Sequence, residues 1–167
     1  AHIVDGVALT NFLFWLQNQQ SKKLDEIIAA RKLLYFRKRN KQFLFPSFPT
    51  ISSFGSNGAI IHYQVNKKTN KKFTNNNLYL VDSGGQYKQG TTDVTRTIAL
   101  GKATNEQKKL YTLVLKGNIA LNEAYFDHDT QTNKLDAIAR QFLQKEGFDY
   151  DHGTGHGVGC FLSVHEG

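Results

Sequence analysis

Residues 6–20 place Val7, Ala8, Phe12, Trp15 and Leu16 on a roughly helical period, and residues 23–39 repeat the pattern with Leu24, Ile27, Ile28 and Leu34. Arg31 interrupts the second stripe, and Ser21 stands where an N-cap is wanted. Two opening helices are therefore expected. Pro46 and Pro49 end any helical continuation, and the cluster Ser52, Ser53, Gly55, Ser56, Asn57, Gly58 reads as loop. β structure follows. Residues 59–65 are rich in β-branched and aromatic side chains and predict a strand, whereas residues 66–77 form a polar, lysine- and asparagine-rich surface loop. Residues 78–81 make an apolar strand, and residues 93–100 alternate Val94, Arg96 and Ile98 with Thr95 and Thr97. Lys88-Gln89-Gly90 between them is the natural turn of an antiparallel hairpin. Helical periodicity returns over residues 105–125, with Leu110, Leu113, Val114, Ile119 and Leu121, and over residues 133–145, closed by Gly147 as a C′ residue. Residues 148–167 are rich in glycine and histidine, with strand-like pieces. The element order is that of an α+β protein with no internal repeat.

Composition narrows the class. The chain has 167 residues, about one domain at roughly 150 residues each. Its 40% hydrophobic and 12% aromatic content is too rich for a disordered segment. No run approaches the roughly 18 consecutive apolar residues of a membrane span. The start, Ala1-His2-Ile3-Val4-Asp5, shows neither a basic leader nor a small-residue cleavage site. Cys160, the only cysteine, excludes an internal disulfide, and together these features point to a reducing, cytoplasmic compartment. The net charge of +7 would suit a nucleic acid or an anionic membrane, but the basic residues fall in separate runs (Lys22-Lys23, Arg37-Lys38-Arg39, Lys67-Lys68, Lys71-Lys72, Lys108-Lys109). That scatter disfavours nucleic acid as the main partner. The chain contains no methionine and stops at Val164-His165-Glu166-Gly167, so it is expected to be a fragment of a longer protein.

The chemistry-bearing residues are few. Asp82 ends the apolar run Leu78-Tyr79-Leu80-Val81, where a carboxylate is costly to bury unless a cation or donors meet it. Asp93 lies eleven positions on, across the turn, so a formed hairpin brings both carboxylates to one end. Two oxygen ligands on strands suit a hard divalent metal, although each aspartate could equally cap a turn. The run Gly153-Thr154-Gly155-His156-Gly157-Val158-Gly159 packs four glycines around one histidine and permits close backbone approach. His152 precedes His156 by four, the spacing of a helical zinc pair, but so glycine-rich a run is a poor helix and the two are expected to do different jobs. A phosphate loop is excluded because no Gly-Lys-Ser/Thr follows. His165 lies nine residues beyond His156, and His62, in the apolar Ile60-Ile61-His62-Tyr63, reads on its own as a core histidine rather than a catalytic one.

Four ordered motifs then carry a resemblance. They are Asn57-Gly58-Ala59-Ile60-Ile61-His62-Tyr63, Val81-Asp82-Ser83-Gly84-Gly85-Gln86-Tyr87, Gly90-Thr91-Thr92-Asp93-Val94-Thr95-Arg96-Thr97, and residues 152–159 followed by Val164-His165-Glu166-Gly167. The set resembles the catalytic domain of the Xaa-Pro aminopeptidases (aminopeptidase P), grouped with methionine aminopeptidase, prolidase and creatinase as pita-bread enzymes, and it runs essentially from Ala1-His2-Ile3 onward. The resemblance implies an α+β pita-bread fold, with residues 1–167 as one partial catalytic domain, incomplete at its C-terminal side. It implies a dinuclear metal site, most often Mn2+ with Co2+ or Zn2+ as alternatives. In that site Asp82 ligates one ion, Asp93 bridges both and His156 ligates the other. His62 and His165 match the family's substrate-binding, proton-handling histidines, and His152 another histidine lining the substrate site. The implied reaction is hydrolysis of the bond between an N-terminal residue and a penultimate proline, in a cytoplasmic, homodimeric parent. The family's remaining ligands are glutamates beyond its His-Glu-Gly motif, on which this chain ends, so the isolated chain is expected to be weakly active or inactive. The alternatives are a prolidase-type dipeptidase and a non-catalytic pita-bread module that binds protein or nucleic acid.

Overall fold

A computed structural model describes residues 1–19, 24–161 and 164–166. It divides into two units, Ala1–Lys102 with Gly157–Gly167, and Ala103–His156.

The first unit opens with α1 (His2–Gln17) and α2 (Glu26–Lys38). The cap of α2 is Asp25, whose carboxylate accepts from the Ile28 N–H at 2.7 Å; the expected cap, Ser21, lies outside the described residues. Leu9, Phe12 and Leu16 of α1 and Ala29 and Leu33 of α2 face a core completed by Leu24, Phe54, Phe73, Tyr79 and Val81. Phe73 stacks on Phe54 at 5.0 Å and lies 5.0 Å from the Tyr79 ring, so an aromatic column joins the helices to the sheet.

Six strands follow in this unit: β1 (Phe43–Pro46), β2 (Ile51–Phe54), β3 (Asn77–Ser83), β4 (Gly85–Tyr87), β5 (Gly90–Thr91) and β6 (Val94–Leu100). β2, β3 and β6 form one antiparallel sheet with β3 central, and β1, β4 and β5 form another. The expected pairing of residues 78–81 with 93–100 is present, in a register that sets Asp82 opposite Thr95 and Ser83 opposite Val94. Lys88-Gln89 turns the short β4–β5 hairpin inserted between these strands. Near the end of the unit, β7 (Gly157–Val158) pairs with β8 (His165–Glu166).

Two expectations are corrected here. Residues 51–54, the start of the serine-rich region read as loop, are the fully buried strand β2. Its serines tolerate burial because their hydroxyls are satisfied: Ser52 Oγ donates to the Glu26 carbonyl at 2.7 Å and Ser53 Oγ to the Leu80 carbonyl at 3.2 Å. Conversely, residues 59–65 are not a strand. A 3-10 turn over Gly55–Ala59 leads into a β-turn in which Tyr63 N–H donates to Ile60 O at 3.2 Å, with His62 at φ 54°. Ile60 and Ile61 are half exposed there, so their β propensity has no sheet to join.

The second unit pairs α3 (Asn105–Asn122) with α4 (Thr132–Gln144). Thr104 and Gln107 form a reciprocal capping box at the start of α3. Gly117 lets the helices approach: a Cβ there would lie 2.0 Å from the Ala139 carbonyl oxygen. Past α4, Gly147 adopts φ 76° and Phe148 N–H donates back to Leu143 O at 3.0 Å, the expected C′ geometry. Among the described residues no helix is long and apolar enough to cross a membrane.

Candidate metal and substrate site

The burial of β3 alternates, with Tyr79, Val81 and Ser83 inward, so the opposite parity carries Asp82 to the other face, half-buried with one carboxylate oxygen withdrawn from solvent. Asp93 sits one residue before β6 rather than opening it. Because Asp82 opposes Thr95, Asp93, two residues before Thr95, lies at the same end of the sheet.

What holds the Asp93 segment is buried. Thr92 Oγ donates to Asp5 Oδ2 at 2.9 Å and accepts from Gly85 N–H at 2.8 Å. Asp5 also accepts from Arg37 Nε at 2.7 Å, Arg37 Nη2 at 2.9 Å and the Tyr87 hydroxyl at 2.7 Å. Burial works to raise the Asp5 carboxyl, but the Arg37 guanidinium and the two hydroxyls outweigh it and hold the group below the usual carboxylate range. Burial, with Asp5 beside it, pushes the Tyr87 phenol up. Gly84 is the point of closest approach, since a Cβ would fall 1.8 Å from the Thr92 carbonyl oxygen and 2.3 Å from Ser47 Oγ. At the N-terminus, His2 Nε2 lies 3.3 Å from both the backbone nitrogen and the carbonyl oxygen of Asp93. Sequence reasoning missed Asp5, Arg37 and His2. The available signal was an acidic residue at position 5, one helical turn before the buried Ala8 and Leu9.

His62 and His165 are brought together. Their rings lie 6.0 Å apart, inclined at 40°, and both are exposed. His62 is thus a turn residue and not a core one, while His165 is held in β8 opposite Val158.

His152 and His156 belong to the second unit. The ring of His152 stacks on Tyr150 at 4.6 Å, and Tyr150 stacks in turn on the Arg140 guanidinium at 3.9 Å. Arg140 reaches from α4 to Asp136 and Asp149 and to the carbonyls of Tyr150 and His152. One arginine therefore anchors the segment that leads to the glycine-rich run. His156 is exposed, and a Cβ at Gly153 or Gly155 would meet nothing within 4 Å among the described residues. Within those residues no three His, Cys, Asp or Glu side chains are gathered in a group able to hold a metal. Asp82 and Asp93 lie in the first unit and His156 in the second.

Carboxylates and imidazoles are residue types that can bind divalent metals. The chain belongs to metallopeptidase family M24, whose model matches residues 1–167. Among sequences, it is 54% identical over 169 aligned positions to a probable Xaa-Pro aminopeptidase P of Podospora anserina, covering 99% of this chain and 25% of that relative. Among solved structures, it superposes with a TM-score of 0.93 and 41% identity on the X-prolyl aminopeptidase of Caenorhabditis elegans, described as a cytosolic enzyme with a di-nuclear active site. That match covers 99% of this chain and 28% of the other. The prolidase of Pyrococcus furiosus matches with a TM-score of 0.84 and 27% identity, over 99% of this chain and 47% of its own. The expected α+β pita-bread fold is thereby shown, and the chain spans about a quarter of the length of the curated relatives it matches.

Proposed function

We propose that the protein is a metal-dependent Xaa-Pro aminopeptidase that hydrolyses the bond between an N-terminal residue and a penultimate proline. The observation that supports this reading is the β3–β6 pairing, which sets Asp82 opposite Thr95 at the strand end next to Asp93, in a chain 54% identical to an aminopeptidase P relative. Asp82, Asp93 and His156 are the ligands this chain brings to a pair of divalent ions. Their two carboxylates and one imidazole suit Mn2+, with Co2+ or Zn2+ as alternatives. When bound, such a pair supplies a water acidic enough to attack at neutral pH and a Lewis acid for the scissile carbonyl.

The chain's own residues do the rest. The buried Asp5–Arg37 pair and Gly84 hold the Thr92-Asp93 backbone in place, so the carboxylate of Asp93 is presented without reorganisation. His62 and His165, side by side and exposed, offer ring N–H groups to one stretch of peptide. There they orient it and pass a proton to the departing amine. His152, steadied by Tyr150 and Arg140, is read as a further substrate-binding histidine. A cytoplasmic location follows the description of the C. elegans relative as cytosolic, and a homodimer belongs to the same reading.

The full-length protein loaded with Mn2+ is expected to release arginine from Arg-Pro-Pro, and Asp93→Asn to lose both activity and bound manganese. Full activity of the Asp93→Asn enzyme would sink the assignment. The likeness to P. furiosus prolidase favours a second reading, a dipeptidase; cleavage of Xaa-Pro dipeptides in preference to Arg-Pro-Pro would select it.

A further inference from the structure

Glu26 is fully buried at the first turn of α2, and nothing in the metal and substrate chemistry uses it. Its carboxylate accepts four kinds of hydrogen bond. Oε1 takes the Phe54 N–H at 2.7 Å and the Asn57 amide at 2.9 Å, and Oε2 takes the Tyr63 hydroxyl at 2.9 Å and the Lys71 N–H at 2.9 Å. These donors come from the end of β2, the 3-10 turn, the residue after His62, and the middle of the polar loop. His62 lies between the second and the third, in the left-handed region at φ 54°. A non-glycine residue keeps that conformation only where its surroundings over-determine it. The turn's own Tyr63–Ile60 backbone bond closes it locally. The bonds to Glu26 pin both flanks of the turn to a helix that belongs to the core.

We propose that Glu26 is a positioning residue for His62: its buried carboxylate clamps both sides of the His62 turn and so aims the imidazole at His165 and the substrate. This rests on the reading of His62 as a substrate-binding histidine. The anion matters because the Phe54 and Lys71 N–H groups and the Asn57 NH2 can only donate to it, whereas the Tyr63 hydroxyl also lies 3.0 Å from the Thr69 carbonyl and accepts from Asn57 Nδ2 at 2.8 Å. A glutamine would turn its own NH2 toward one pair of these partners, so that the backbone N–H of that pair, Phe54 or Lys71, loses its acceptor and the hold on that side of the turn weakens.

The test is a double-mutant cycle in the full-length, Mn2+-loaded enzyme, with kcat and KM for Arg-Pro-Pro, manganese content and thermal midpoint measured for each variant. Glu26→Gln is expected to lower kcat/KM at least tenfold with manganese content unchanged. In the His62→Ala background, the same change is expected to alter kcat/KM less than twofold, because the group it positions is gone. Tyr63→Phe removes the hydroxyl next to His62, and with it the contacts to Glu26, Thr69 and Asn57. It is expected to give a smaller loss, again cancelled by His62→Ala, and it carries the cycle if Glu26→Gln does not fold. An equal loss with and without His62 would show that Glu26 acts only on the scaffold and would overturn the proposal. Unchanged kcat/KM in Glu26→Gln, beside a large loss in His62→Ala, overturns it while sparing the role of His62. If His62→Ala itself stays within twofold of the parent, the reading of His62 fails and takes the proposal with it.

Discussion

Replacing Asp5 by asparagine removes one charge from a pair whose members are each only 1% exposed. The oxygens of Asp5 take four hydrogen bonds, two from Arg37 and one each from Tyr87 and Thr92, at 2.7–2.9 Å. Asparagine keeps the shape but retains one acceptor oxygen, and its NH2 must face donors on the other side. Arg37 is then left buried and uncompensated. Removing one partner of such a pair costs about 3–5 kcal/mol, a large share of the roughly 5–15 kcal/mol that stabilises a typical domain. The Lys109–Glu146 pair, with side chains 54% and 47% exposed, is the internal control; exposed pairs contribute only about 0–1 kcal/mol.

Urea unfolding followed by circular dichroism should show a lowered midpoint at constant slope for Asp5→Asn and almost no change for Glu146→Gln. The sign with pH is also set. The folded Asp5 carboxyl is held below its ordinary value, so its contribution is complete above about pH 4 and is lost as pH falls through the folded value. Wild-type and Asp5→Asn stabilities should therefore converge in acid. A loss of less than about 1 kcal/mol, or one no larger than that of Glu146→Gln, would refute the reasoning.

The other predictions concern single contacts. Gly84→Ala sets a Cβ 1.8 Å from the Thr92 carbonyl. It is expected to cost at least about 1–3 kcal/mol and to lower manganese uptake by shifting Asp93, read as metal content after dialysis. Gly117→Ala should destabilise by a similar amount in thermal unfolding, although alanine ordinarily stabilises a helix interior by about 1 kcal/mol, because its Cβ would sit 2.0 Å from the Ala139 carbonyl. Thr104→Ala deletes the α3 capping box and should cost about 1 kcal/mol, seen as a lowered thermal midpoint. The Asp149 carboxyl is held down to about 2 by Gln144, Arg140 and the Tyr150 N–H. Its NMR titration should therefore be centred near pH 2 in the wild type and rise toward about 4 when Gln144→Ala or Arg140→Ala removes a partner.

Much of this molecule is legible from local pattern. The four helices, the β3–β6 pairing and the polar loop before β3 follow from periodicity and punctuation, which depend on neighbours a few positions away. The motif residues are likewise visible, because glycines around a histidine and an aspartate ending an apolar strand contradict ordinary packing. Residues 51–54 and 59–65 depart from their local pattern for one shared reason. A serine is a loop residue until its hydroxyl finds a buried acceptor, as Ser52 does at Glu26. An isoleucine pair is a strand only if a neighbouring strand is there to receive it.

By itself, then, the sequence determined the element order, the family-bearing motifs and the residue types able to bind metal. Only the tertiary structure decided that β2 is buried, that His62 stands on a strained turn beside His165, and that β3 sets Asp82 opposite Thr95. It alone revealed the buried carboxylates that hold these pieces. Asp5 meets Arg37, Tyr87 and Thr92 across 32, 82 and 87 residues of chain, respectively, and Glu26 meets Lys71 across 45. A charge can be buried only where donors converge on it, and convergence over such separations is a property of the folded chain that no local pattern encodes.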